Sequence, residues 1–544
     1  MDALYPQNRP CGLGADEMRE HNVPQRLLEI NSPLIWHWPH FLEMAAVMEK
    51  YRFTGLVIHQ QNILALLARP PVHYQGADKA NLQHEWEGAL LYLRRVGDYC
   101  HTRRLSVWLQ GEAFAQDGRI EHKFPELSLA NDAGQGEKFL YYFYTEVVSA
   151  SLAQLPLFDG LILSLQTPAF NETQWQAPLQ SLHHQLRLQN KKLVLRDYTD
   201  DSWPRRQLQQ TLAHLPADVR ASLKATAVDY RPGFANNPAI GAFEQRKIWL
   251  DIDLWGIDYG WTLLPCLLID EIQGRLGWVQ SVIGGRLEAI SMRINWEWVN
   301  NGSLLDSVNE SNLYGLARMA SGAPPVSAVT LFDDWLDARG VRPTDSRQRQ
   351  MLRQLFFTSY DWMCKTPYLL GRIMHRHSQL PQDMDDALRL IHSDARGANW
   401  SQSLQPLFPA DDNASGLAQR ELIRLERQQA EFLSRHLLRM ARTLGQNPDL
   451  PVVWRRDLIS AWERADEYSR LFGHVRHLIE LHWYIQQYGA TRALCAELVN
   501  AAADAQRCAE KTDRWLDDNA DAHPLYLRML MNPARLSAMA RQCR

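Results

Sequence analysis

From residue 33 to about residue 300, short runs of β-branched and aliphatic residues alternate with amphipathic stretches of helix length. Eight runs read as strands: "PLIWHW" (Pro33 to Trp38), "GLVIHQ" (Gly55 to Gln60), "LSVWLQ" (Leu105 to Gln110), "GLILSLQ" (Gly160 to Gln166), "KLVLRDY" (Lys192 to Tyr198), "LKATAVDY" (Leu223 to Tyr230), "IWLDIDL" (Ile248 to Leu254) and "AISMRINW" (Ala289 to Trp296). Between them, segments such as "HFLEMAAVMEKYR" return apolar residues every three or four positions, the helical period. Repeated βα units predict a parallel sheet, and eight of them over roughly 265 residues match the size of a (β/α)8 TIM barrel. An open doubly wound sheet is the competing α/β arrangement, but no G-x-G-x-x-G follows the first run. From Ser303 onward the pattern is almost wholly helical, as in "LAQRELIRLERQQAEFLSRHLLRMARTL". The expected organisation is a barrel domain over 1–302, with 1–30 as an N-terminal extension, followed by an all-α C-terminal domain over 303–544.

Composition narrows the partners. Among 544 residues, 46% are apolar and 22% charged, with a formal charge of −4, an ordinary globular balance that disfavours dedicated nucleic-acid binding. The start of the chain has no cationic segment followed by an apolar one, and no eighteen-residue apolar run occurs, so neither a secretory signal nor a membrane span is expected and the cytoplasm is the expected compartment. Seven cysteines are scattered without a C-x-x-C pair, and "MHRH" and "HLIELH" do not match H-E-x-x-H. No cofactor or catalytic metal is expected.

The seventh run and its sequel, "WLDIDLWGIDYG", carry Asp251, Asp253 and Asp258 among tryptophans and aliphatic residues. A carboxylate leaves water cheaply only when paired or held at a mouth. In a TIM barrel the chemistry gathers at the carboxyl ends of the strands, and here those ends are polar throughout. They supply Trp36 and His37; His59; Gln110 and Glu112; Gln166; Arg196; Asp229 and Arg231; Asp253 and Asp258; and Arg293, Trp296 and Glu297. A single polar strand end is usually a cap or a turn residue. Eight together, with several carboxylates and 12 of the 19 tryptophans lying before Asn300, point to a sugar. Glycoside hydrolysis needs two carboxyl groups flanking the scissile bond, and indoles offer an apolar face to a pyranose ring.

The stretch "VDYRPGFANNPAIGAFEQRKIWLDIDLWGIDYG" (Val228 to Gly260), with "SVNESNLYGLARMASGAP" (Ser307 to Pro324), "FPELSLAND", "LPLFDGLILS" and "KKLVLRDY", resembles α-glucuronidases of glycoside hydrolase family 67. The resemblance implies that Asp229, after the sixth strand, activates water together with an acid after the seventh, for which Asp258 matches best and Asp253 and Asp251 compete. It also implies that Arg196 holds a uronate carboxylate, a group a guanidinium can grip through two hydrogen bonds, and that the chain forms a homodimer through its helical domain. The family's general acid follows the fourth strand, where this chain reads "LSLQTPAFNETQ". Gln166 cannot donate a proton as a carboxylic acid does, so Glu172, Glu112 and Glu297 are the candidates for that role.

The leading expectation is a glycoside hydrolase related to α-glucuronidases. Its catalytic candidates are Asp229, Asp258, Asp253, Glu112, Glu172 and Glu297. Its candidates for binding an oligosaccharide or uronic-acid-containing substrate are Arg196, Trp36, His37, His59, Gln110, Gln166, Arg231, Arg293 and Trp296. A non-catalytic sugar-binding or scaffold protein that has lost the acid is the alternative, and a uronate lyase with His37 or His59 as base is a third.

Overall fold

A computed structural model describes residues 22–543 apart from 113–118, 125–132, 166–171, 198–201, 227–229, 244, 257–259, 261–262, 296–303, 306, 323, 325, 376, 394–405 and 520–523. Eight parallel strands close into a barrel: β1 (Gln25–Ile30), β2 (Gly55–His59), β3 (Ser106–Glu112), β4 (Gly160–Ser164), β5 (Lys192–Arg196), β6 (Arg220–Lys224), β7 (Ile248–Asp253) and β8 (Leu287–Arg293). Closure runs through β8 against β1, with Leu27 opposite Ser291 and Glu29 opposite Arg293.

Side chains alternate across the barrel wall, as the two-residue period of a strand requires. Residues such as Leu28, Leu56, Leu109, Leu163, Leu195 and Leu250 face outward into the main core beneath the helices. Leu27, Val57, Trp108, Ile162, Val194, Trp249 and Ala289 face inward and form a separate apolar cluster. Trp108 and Trp249 meet edge to face in its centre, with ring centroids 4.6 Å apart. Their indole N–H groups donate to Ser106 Oγ at 3.2 Å and Glu288 Oε2 at 2.8 Å. Two large rings fit because neighbouring inward positions are glycines. A Cβ on Gly160 would lie 2.7 Å from the Trp108 ring and 2.2 Å from Lys192 O.

The first strand is not the one the hydrophobic pattern suggested. Pro33–Trp36 forms a 3-10 turn capped by Ser32, and Trp38 opens the helix Trp38–Lys50. Prolines at 33 and 39 lack the N–H a strand ladder uses and suit the starts of helical turns. The strand lies in "QRLLEI" instead, within the stretch assigned to an N-terminal extension, and it was hidden because Glu29 occupies an inward position. The sixth strand is displaced as well, running over Arg220–Lys224 and sharing only Leu223 and Lys224 with the run that suggested it. After Ala225 the chain folds back, with Asn237 N–H donating to Ala225 O at 3.1 Å, Asn237 Nδ2 to Lys224 O at 3.0 Å, and Thr226 bridging Asn236.

Beyond β8 the described residues are mostly helical from Glu310–Ala320 to Pro533–Gln542 and include a small hairpin of β9 (Tyr368–Leu369) and β10 (Arg372–Ile373). This region shares one continuous core with the barrel. Its polar side chains satisfy the backbone of the connection after β7, where Cys266, Leu267 and Leu268 N–H groups donate to Asn309 Oδ1, Ser359 Oγ and Asn312 Oδ1 at 2.7–2.9 Å. No helix among the described residues is long and apolar enough to cross a membrane.

The Trp108–Gly160 fit gives a direct test. Gly160→Ala should lower unfolding free energy by about 1–3 kcal/mol through overpacking. Gly285→Ala, where a Cβ meets nothing within 4 Å, should stay within about 0.5 kcal/mol. Denaturant titration of both variants measures the difference.

Candidate active site

Two residues beyond the inward apolar cluster, toward the carboxyl end of each strand, the barrel interior becomes polar on all eight strands. Glu29, His59, Gln110, Ser164, Arg196, Lys224, Asp251 and Ser291 face inward, and none is more than 5% exposed. TIM-barrel interiors are ordinarily packed with bulky branched residues in all three layers. Here that packing ends one layer short of the mouth.

Most of this layer is joined by ion pairs. Glu29 Oε1 lies 2.7 Å from His59 Nδ1 and accepts from Arg196 Nη1 at 3.0 Å, while Glu29 Oε2 accepts from Ser291 Oγ at 2.7 Å. The other end of the Arg196 guanidinium donates to Asp251 Oδ2. One turn of the pleat higher, Asp253 Oδ2 accepts from Arg293 and, at 3.2 Å, from Lys224 Nζ. Three carboxylates therefore meet three cations in a nearly dry space, and removing any one partner strands a buried charge.

The two acids that share Arg196 respond oppositely. Burial pushes the Asp251 carboxyl up to about 6, with Arg196 opposing and Glu29 and Asp253 adding to the rise. Burial also acts to raise Glu29, but Arg196, the His59 hydrogen bond and Arg293 together hold it well below the usual carboxylate range.

Above this layer, Glu112 ends β3, half-buried at the rim, while Asp253 and Arg293 end β7 and β8. Arg231, in the connection after β6, is 4% exposed beside the Phe234 ring, and Phe234 packs on Tyr368 of the helical hairpin. Arg476 fixes that hairpin by donating to the carbonyls of Lys365, Thr366 and Tyr368. Ser378 Oγ accepts from Gly260 N–H at 3.2 Å. The helical region thus walls the β6–β7 side of the mouth. His375 in this wall is pushed down to about 4 by burial, and by the charges of Arg535, His377 and Arg231 against Asp386.

The structure brings His59, Gln110, Glu112, Arg196, Asp253 and Arg293 to one end of the barrel interior. Arg196 lies a layer below the mouth, shared by two carboxylates. Trp36 and His37 fall outside the interior. Trp36 packs on Tyr92 at 5.4 Å between ring centroids, Trp38 stacks on Phe41 under Arg95, and His37 is exposed. With the first strand displaced to Gln25–Ile30, Trp36 falls in the connection that follows it, and both rings pack on tyrosines of the helix Lys79–Thr102. Asp229, Asp258, Glu297, Gln166 and Trp296 lie outside the described residues; Glu172 opens the helix Glu172–Leu188. Sequence reasoning missed Glu29, Ser164, Lys224 and Ser291. The signal for Glu29 was the period-two alternation of "QRLLEI". Among the described residues no group of three or more His, Cys, Asp or Glu side chains could hold a metal ion.

No protein-family model matches the chain, and no curated protein matches it in sequence. Among solved structures, it resembles a GH138 enzyme targeting pectin rhamnogalacturonan II, with a TM-score of 0.63 and 11% identity over 91% of this chain and 62% of the other. The chain therefore spans 62% of the length of that neighbour. A Flavobacterium johnsoniae chitobiase of family GH20 also aligns, with a TM-score of 0.38 and 11% identity over 89% of this chain and 75% of the other. At 11% identity, what the GH138 neighbour shares with this chain is the fold alone.

The shared guanidinium predicts a pH-dependent stability. Between an ordinary carboxyl value of 3.8 and about 6, the folded chain keeps a proton on Asp251 that the unfolded chain has released. Its stabilising contribution is complete below the lower value and is lost as pH rises through about 6. Glu29, shifted downward, contributes in the opposite sense: its share is present above the ordinary value of 4.5 and is lost as pH falls through its depressed pKa. Asp251→Asn should therefore remove a fall in Tm between about pH 4 and 6 that the parent shows. Glu29→Gln should cost about 3–5 kcal/mol at pH 7 by leaving Arg196 half-paired. Thermal unfolding across pH measures both.

Proposed function

We propose that the chain is a glycoside hydrolase that cleaves its substrate in the mouth above the polar layer, with Glu112 and Asp253 as the described carboxylates that do the work. The observation carrying this reading is their opposition. β3 and β7 stand four strands apart in a ring of eight, so groups at their ends face each other across the mouth. Glycosidic cleavage needs such a pair, one to protonate the leaving oxygen and one to activate water or attack the anomeric carbon.

The surroundings divide the roles. Asp253, gripped by Arg293 and Lys224, suits the anionic partner, base or nucleophile. Glu112 is half-exposed on the far rim, where a leaving group departs toward solvent, and suits the acid. Asp229 and Asp258 are the further carboxylates that the resemblance to α-glucuronidases nominates, and Glu172 and Glu297 are the other candidates for the acid that the chain lacks after its fourth strand. The finer reading is a uronate-bearing substrate. For that group, Arg231 near the rim is better placed than Arg196, whose guanidinium serves Glu29 and Asp251, or Arg293, which grips Asp253. The pectic target of the GH138 neighbour makes pectic oligosaccharides sensible first substrates.

Aryl glycosides, aryl uronides and rhamnogalacturonan II oligosaccharides form the assay panel. Glu112→Gln and Asp253→Asn should each lower kcat by roughly 10²- to 10⁴-fold while far-UV circular dichroism stays that of the parent. Full activity in both variants would move the chemistry to other carboxylates. Oligosaccharide binding without turnover on the whole panel would identify a sugar-binding protein instead.

A further inference from the structure

The inward polar layer is unevenly satisfied. On β1, β2 and β5 to β8 its members are each held by at least one of the ion pairs and hydrogen bonds described above, although Asp251 Oδ1 has no hydrogen-bond partner among the described residues. On β3 and β4 they are not: among the described residues, Gln110 Nε2 and Ser164 Oγ have no hydrogen-bond partner, although Gln110 is 1% exposed and Ser164 2%. Burying an amide donor or a hydroxyl without a partner destabilises a fold, so folding gives no reason for these two side chains to be polar.

Their direction follows from the strand period. Trp108 and Ile162 point into the barrel, and Gln110 and Ser164, each two residues on, point the same way. Strand register puts Ser164 beside Glu112 on one side and Arg196 on the other, and Gln110 beside His59. Gln110 also lies directly below Glu112 on the same face of β3. The three side chains therefore form a triangle, with one unfilled hydrogen-bonding group below a carboxylate and one beside it.

Resting on the glycoside-hydrolase reading, we propose that Gln110 and Ser164 form the floor of the sugar subsite and read two neighbouring hydroxyls of the ring bound under Glu112. The chemistry favours a neutral diol over a charged group. An amide N–H donates and a hydroxyl both donates and accepts, which matches adjacent ring hydroxyls. The charges of the same layer are already matched to one another on the other strands, so this side of the floor adds none. Ser164 becomes a specificity-determining residue with no carboxylate or aromatic character to mark it in the sequence.

The test uses the full chain with Ser164→Ala and Gln110→Leu. Methyl glycosides of glucose, galactose, rhamnose and galacturonic acid, with their monodeoxy forms, serve as probes in calorimetric titration. Both variants should keep or raise the parent Tm, because each removes a buried group that has no partner. Each should raise the Kd of the preferred glycoside roughly 3- to 10-fold, and that penalty should vanish for the analogue lacking the hydroxyl that the mutated group reads. A lowered Tm in both variants, with no discrimination between parent and deoxy probes, would make them structural and overturn the proposal. Unchanged Kd in both, with turnover intact, would overturn it while leaving the hydrolase reading standing. Absence of both binding and turnover across the probes and the aryl panel would remove the two together.

Discussion

The sharing of one guanidinium between two buried acids is the constraint on which the barrel interior rests. Arg196 reaches Glu29 on β1 and Asp251 on β7 from β5, tying strands that share no backbone ladder with one another. An apolar layer would hold the same strands through packing contact alone. A paired guanidinium fixes direction as well as distance. Everything above it inherits that order: Lys224 and Arg293 converge on Asp253, and Glu112 stands opposite. The cost is desolvation, visible in the raised titration of Asp251. A fold selected only for stability gains little from such a layer, which is why the arrangement reads as serving a site.

The helical region acts on that site through two kinds of contact. Asn309, Asn312 and Ser359 stand in for missing secondary structure after β7, so the connection that leaves the seventh strand is shaped by residues from outside the barrel. Arg476 does the same for the hairpin that carries Tyr368, gathering three carbonyls around one cation. Barrel and helices therefore share the mouth as well as a core, and a boundary drawn at the end of β8 separates sequence patterns more cleanly than it separates functions.

How much of this was readable in advance follows from what each residue does locally. Six of the eight strands announced themselves through aliphatic runs, the sixth run met its strand only at Leu223 and Lys224, and the polar ends of β3, β5, β7 and β8 lie at one end of the barrel. The first strand was misread because "PLIWHW" is more apolar than "QRLLEI", and hydrophobicity is a poor guide where the inward position carries Glu29. The tryptophans misled for a related reason. An indole next to a strand end is equally suited to a sugar platform and to packing between helices, and at Trp36 the ring packs on Tyr92 of the helix layer. Ser164 and Lys224 carry no pattern at all: their importance comes from register with neighbouring strands, which is a property of closure and not of any local stretch.

The indole pair at the base of the barrel has a consequence for traffic. Trp108 and Trp249, locked edge to face between inward glycines, stopper the interior at its lower end. No path leads down between these two rings, so on the glycoside-hydrolase reading product departure and substrate arrival would share the mouth.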